Sequence, residues 1–125
     1  MQIRTPYLVF LGDVPDALAA KTGQGIVDWR PDAVVGQLRL PGCKADLGVA
    51  ELSVAQAAAR GAKTLVIGAV NPGGVLPSTW QSTIIHALHA GLDVASGLHT
   101  RLSQLPEVVR AAQRQGRRLF DVRHT

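Results

Sequence analysis

The chain is poor in the features that usually announce a function. It has one cysteine, Cys43, which excludes an internal disulfide framework and fits a reducing compartment. No apolar run approaches the ~20 residues of a membrane-spanning helix. The opening stretch MQIRTPYLVFLGD has an apolar core, Tyr7 to Leu11, too short for a signal peptide, so a cytoplasmic location and no membrane partner are expected. Aromatic residues make up only 4% of the chain, which argues against a stacking surface for single-stranded nucleic acid. The G-x-G-x-x-G fingerprint of a dinucleotide site is missing after the first candidate strand. A P-loop is missing too: Gly36 stands one residue too far upstream of Gly42-Cys43-Lys44, and Ala45 replaces the Ser or Thr that would hold magnesium.

What is present fits one domain, residues 1–125, long enough to bury a core without metal or disulfide staples. The net charge of +4 is unevenly placed. Lys and Arg balance Asp and Glu up to residue 100, and the excess lies in Arg101, Arg110, Arg114, Arg117, Arg118 and Arg123, against Glu107 and Asp121. With Phe120 the sole aromatic in that region, a solvated arginine face or a contact with another domain is the better reading than nucleic acid.

The most informative stretch is Lys63 to Gly74, KTLVIGAVNPGG. Its apolar run, Thr64 to Val70, has no polar face and reads as a central strand covered on both sides, ended by the turn-forming Asn71, Pro72, Gly73 and Gly74. Other candidate strands are Tyr7–Leu11, Ala33–Leu40, Leu92–Leu98 and Arg118–Val122. In the second of these, Gln37 and Arg39 alternate with Leu38 and Leu40, which suggests a partly exposed face. Helices are expected after Asp16, after Ser53 with Gln56 completing a capping box, from Ser78 to Ala90, and from Pro106 onward. Three times a helix is followed by glycine, two residues and a strand, at Gly61, Gly91 and Gly116. That grammar describes a βα array, because parallel strands need crossover helices. The expected fold is a Rossmann-like three-layer α/β/α sandwich with a mainly parallel five-stranded sheet.

In such a sheet the strand-to-helix turns share one rim, where ligands of open α/β proteins bind. The rim would gather Gly12 and Asp13, the loop Gly42 to Gly48 with Cys43, Lys44 and Asp46, Asn71 to Gly74, Ser96 to His99, and Asp121 to Arg123. It offers carboxylates, an ammonium, an amide, a hydroxyl, an imidazole and glycine amides to a small charged ligand or phosphate. Glycine and aspartate also occur in such turns for conformational reasons alone. Cys43 with His99 could form a nucleophile and base, but a thiol packed in a turn is the simpler reading. His86 and His89, three apart on a helix, lack further ligands, so no metal is expected.

The runs TPYLVFLGD, WRPDAVVGQLRLPGCKADLG, GAKTLVIGAVNPGG and AGLDVASGLH resemble the N-terminal Rossmann-like domain of the DUF1611 family, whose characterised activity is D-glutamate N-acetyltransferase. The likeness runs from about Thr5 to Arg123, with GCKADLG and ASGLH its more specific parts. It implies acetyl transfer from acetyl-CoA, as co-substrate rather than covalently bound cofactor, to the amine of D-glutamate in amino-acid catabolism. It also implies a second, P-loop-like domain that this sequence does not contain, so the isolated chain is expected to be inactive and to have that domain or a companion chain as partner. A homo-oligomer is compatible with the same reading. The candidate catalytic residues are Asp13, Asp46 and His99, and the candidate binding residues Gly12, Cys43, Lys44, Asn71, Gly73, Gly74 and Ser96. The alternative reading is a non-catalytic nucleotide- or CoA-binding or assembly module on the same rim.

Overall fold

A computed structural model of the chain describes residues 2–70 and 76–122. The apolar run near the N-terminus forms β1 (Tyr7–Gly12), whose Leu8, Val9, Phe10 and Leu11 are all fully buried. A short 3-10 turn, Leu18–Ala20, precedes α1 (Lys21–Trp29). Asp16 does not cap α1, whose N-cap is Ala20; its Oδ1 instead accepts from the amide of Ala19, within the 3-10 turn, at 2.9 Å. Pro31 opens a second such turn, and β2 follows (Val34–Arg39). The capping box at Ser53 forms as expected: the Ser53 hydroxyl accepts from the Gln56 amide at 3.1 Å, and the Gln56 side chain accepts from the Ser53 amide at 2.9 Å, starting α2 (Val54–Ala59). The remaining elements are β3 (Thr64–Ile67), α3 (Ser78–His89), β4 (Asp93–Ser96), α4 (Pro106–Gln115) and β5 (Leu119–Asp121). Gly116 ends α4 in the left-handed conformation, φ 63°, and Gly61 and Gly91 likewise have positive φ after α2 and α3.

All five strands are parallel, in the order β2-β1-β3-β4-β5. The chain steps from β1 to β2 in one direction and from β2 onward in the other. Right-handed crossovers therefore place α1 on one face of the sheet and α2, α3 and α4 on the opposite face. Side chains agree. Val9 and Leu11 of β1 lie beside Gly23 of α1, while Phe10 meets Trp80 of α3 edge to face at a centroid distance of 5.4 Å. The result is the expected three-layer sandwich, with one layer only a single helix wide.

Two expectations from the sequence are corrected by this packing. The central strand stops at Ile67 instead of running to Val70, because the chain beyond it turns to serve α1: Gly68 accepts from the Gly23 amide at 2.8 Å and Val70 donates to Ala19 O at 2.8 Å. Nor is that strand covered equally on both sides, since Leu65 is fully buried whereas Val66 is only half-buried. The second correction concerns Gln37, which is 1% exposed instead of forming part of an open face. The segment Ala50–Leu52 runs along β2, with Gln37 N donating to Ala50 O and Leu52 N to Gln37 O, and shields this sheet edge.

Candidate functional site

The strand order reverses between β1 and β3, and the crevice outside their carboxyl ends is where this topology generally places a ligand. The β1 turn is fixed by two contacts with neighbouring elements. Trp80, at the start of α3 and 1% exposed, donates its indole N–H to Asp13 Oδ1 at 2.9 Å and lies directly over Gly12. Gly12 O accepts from Leu40 N at 2.9 Å, and Val14 O from Lys44 N at 2.9 Å. Those bonds stitch the loop after β2 to the turn after β1, so the backbone of Lys44 sits beside the Asp13 turn with its side chain in solvent.

Gln37 organises the GCKADLG loop from below. Its amide N–H group donates to Asp46 Oδ1 at 2.8 Å and to Val49 O at 3.2 Å, and its oxygen accepts from Leu47 N at 2.9 Å. Gly48 N also donates to Asp46 Oδ1 at 2.8 Å, and Arg39 lies 3.6 Å from Oδ2. The Gln37 and Gly48 hydrogen bonds, with a smaller contribution from Arg39, hold the Asp46 carboxyl below the usual carboxylate range. Arg39 is itself held by Glu51 at 2.7 Å, the hydrogen bond that chiefly raises its pKa. Cys43 is half-buried, its thiol directed at Ala45 O at 3.6 Å.

On the other side of the crevice, Ser96 ends β4, 2% exposed, its hydroxyl accepting from Leu98 N at 3.0 Å, and His99 lies exposed just beyond. β1 and β3 separate β2 from β4, so the strand ends that carry Cys43 and His99 are about three strand spacings of ~4.8 Å apart. Asn71, Gly73 and Gly74 lie outside the described residues, between Val70 and Leu76. His86 and His89 occupy the last turn of α3, on the far side from the rim, with His89 Nδ1 3.3 Å from the Gln115 amide nitrogen. The rim thus brings together Gly12, Asp13, Cys43, Lys44 and Asp46 around β1 and β2, and Ser96 and His99 at β4.

The role of Gln37 was not read from the sequence. The signal was a glutamine inside an apolar strand, nine residues before an aspartate in a glycine-rich loop. Gln37→Leu should lower stability by about 1 to 3 kcal/mol, because it strands the buried Leu47 amide and removes the main support of Asp46. The folded-state pKa of Asp46 is depressed, so its contribution is present above the ordinary carboxylate pKa of ~3.9 and is lost as pH falls through the lower folded value. Thermal melts of wild type and Gln37→Leu at pH 7 and pH 3 should show the gap narrowing at low pH. An unchanged gap would mean that Asp46 adds nothing.

The five-stranded parallel sheet, its strand order and its crevice define a Rossmann-like domain. Within that class the chain belongs to the DUF1611 family: residues 38–125 match the family model described as a domain of unknown function (DUF1611_N), Rossmann-like domain. The chain is 54% identical over 121 residues to a D-glutamate N-acetyltransferase of Tritonibacter scottomollicae, covering 97% of this chain and 36% of that protein. It is 42% identical over 124 residues to one of a Pseudoalteromonas species, covering 99% and 37%. The crystal structure of a DUF1611 family protein from Anabaena variabilis superposes with a TM-score of 0.77 at 25% identity, over 96% of this chain and 37% of that one. Homoserine dehydrogenase of S. aureus shares the fold at a TM-score of 0.55 and 14% identity, over 96% of this chain and 33% of that one. The chain thus spans little more than a third of the length of these curated relatives. Among the described residues no helix is long and apolar enough to cross a membrane.

Proposed function

We propose that this chain is the N-terminal domain of a D-glutamate N-acetyltransferase-like enzyme and that its rim helps bind D-glutamate and acetyl-CoA. The observation that carries this reading is the 54% identity to a protein of that activity across nearly the whole chain, the GCKADLG loop included. The remaining, P-loop-like portion of the enzyme is supplied by another domain or a companion chain.

An amino-acid substrate carries charges of both signs, and the stitched pair of loops offers both. Lys44 pairs with a substrate carboxylate, and Asp13, held in place by Trp80, faces the ammonium. The amine must lose a proton before it attacks the thioester carbonyl. Attack forms the amide bond and expels the CoA thiolate, which takes up a proton. A positioned base contributes ~10² to 10⁴-fold to such a step. Asp13 is the carboxylate nearest the crevice, whereas Asp46 is committed to Gln37 and Gly48 as a stable anion. His99 and Ser96 stand on the β4 side, where the thioester end would lie. Asn71, Gly73 and Gly74, which lie outside the described residues, belong to the same candidate binding set.

The test uses the chain as it is. Thermal melts with D-glutamate and with acetyl-CoA should show stabilisation by at least one of them, about 2.7 kcal/mol at 100 times the dissociation constant. Lys44→Ala should abolish the D-glutamate effect while leaving the melt without ligand unchanged. No stabilisation by either ligand would overturn the reading and leave the assembly role.

A further inference from the structure

The single-helix layer leaves a groove of about 490 Å³ on the α1 face of the sheet, lined chiefly by Tyr7, Ile26, Trp29, Val66, Ala95 and Val122. Trp29 is 87% exposed and Val122 46%, and among the described residues Arg30 is the one charged member of the lining. We infer that this groove is the seat of an amphipathic α-helix contributed by the polypeptide that makes up the rest of the longer family members.

Four observations converge on that occupant. First, α1 packs over β1 and β3 through Gly23 against Val9 and Gly68, and the other three helices lie on the opposite face. The strip from β3 to β5 that no crossover helix covers is two strand spacings, about 10 Å, wide, and within it Val66 is half-buried while Ala95 and Phe120 are 2% and 6% exposed. An α-helix is ~10 Å across, and helices are what cover such faces in layered α/β domains. Second, the curated relatives have nearly two-thirds of their length outside the matched region, enough to supply the missing layer. Third, the match is to the family's N-terminal domain, and Val122, just after β5, itself lines the groove. Fourth, the lining dictates the chemistry: an apolar stripe at helical spacing to cover Ile26, Val66 and Trp29, with a carboxylate near Arg30. None of this depends on which substrate the rim holds.

Trp29 is the reporter. Trp80 is 1% exposed and already buried, so a blue shift of tryptophan emission on binding reports the covering of Trp29. Overlapping 25-residue peptides spanning the unmatched region of the Tritonibacter relative are titrated into the full chain. One helix-forming peptide is expected to give a saturable blue shift with one-to-one stoichiometry. Trp29→Phe should remove the signal, and Ile26→Asp should weaken binding at least tenfold while retaining the wild-type far-ultraviolet circular dichroism. Val122→Asp, at a more exposed position, serves the same purpose should Ile26→Asp not fold. The inference is overturned if no peptide shifts the emission. It is equally overturned if acetyl-CoA alone produces the shift, which makes the groove a small-molecule site. A shift with chain concentration alone, accompanied by sedimentation at the mass of a dimer, overturns it in favour of a second copy.

Discussion

Leu65→Asp is expected to leave no folded protein, while its neighbour Val66→Asp should still fold. Leu65 is fully buried in β3 between the sheet and the α2–α4 layer, paired in register with Leu8 of β1 and Val94 of β4, both also fully buried. A carboxylate there finds no partner, and the penalty for an unpaired buried charge is several kcal/mol per ion. The whole domain, at 125 residues, has only ~6 to 19 kcal/mol of stability to lose. Val66 points to the other face, where it lines the open groove and is half-buried, so its carboxylate keeps part of its hydration. Circular dichroism and urea titration of both variants would check the contrast. If both unfold alike, the α1 face is as closed as its opposite, and the groove does not exist in solution.

That contrast also marks how far the sequence could be read. The five strands, the capping box at Ser53 and the glycines after three helices were legible because each rests on local chemistry: apolar runs, a Ser-x-x-Gln pattern, a residue free to adopt positive φ. The unequal covering of β3 was not, because Thr64 to Val70 looks the same whether its second face meets protein or solvent. Only the strand order, which sends one crossover helix to one side and three to the other, decides it. The strand's early stop had the same origin. The Gly68 amide still donates to Phe10 O of β1, but its carbonyl turns to the Gly23 amide of α1, a contact between residues 45 positions apart that no local pattern encodes. At the rim, the residues that line up after parallel strands were predictable as a set. Their distances were not, and Gln37 escaped notice because burial, more than residue type, gives it its role.

At the crevice itself, Gly12→Ala is expected to cost about 2 to 5 kcal/mol, the sum of left-handed backbone strain and overpacking. Gly12 has φ 60°, and a β-carbon there would stand 2.1 Å from two carbons of the Trp80 indole. The indole cannot simply move aside. It is 1% exposed, packs edge to face on Phe10, and is anchored by its N–H to Asp13. Shifting it would therefore also release the Asp13 carboxylate from its position, so a variant that survives should lose the D-glutamate stabilisation along with fold stability. Gly42→Ala is the control. Gly42 has φ 89° with nothing within 4 Å of its would-be β-carbon, so it carries the backbone cost alone, about 1 to 2 kcal/mol. Trp80→Phe in the Gly12→Ala background removes the clashing part of the ring and should recover part of the loss, which a double-mutant cycle on urea midpoints would read directly. Equal costs at Gly12 and Gly42, with no coupling to Trp80, would show that the indole does not set the shape of the β1 turn.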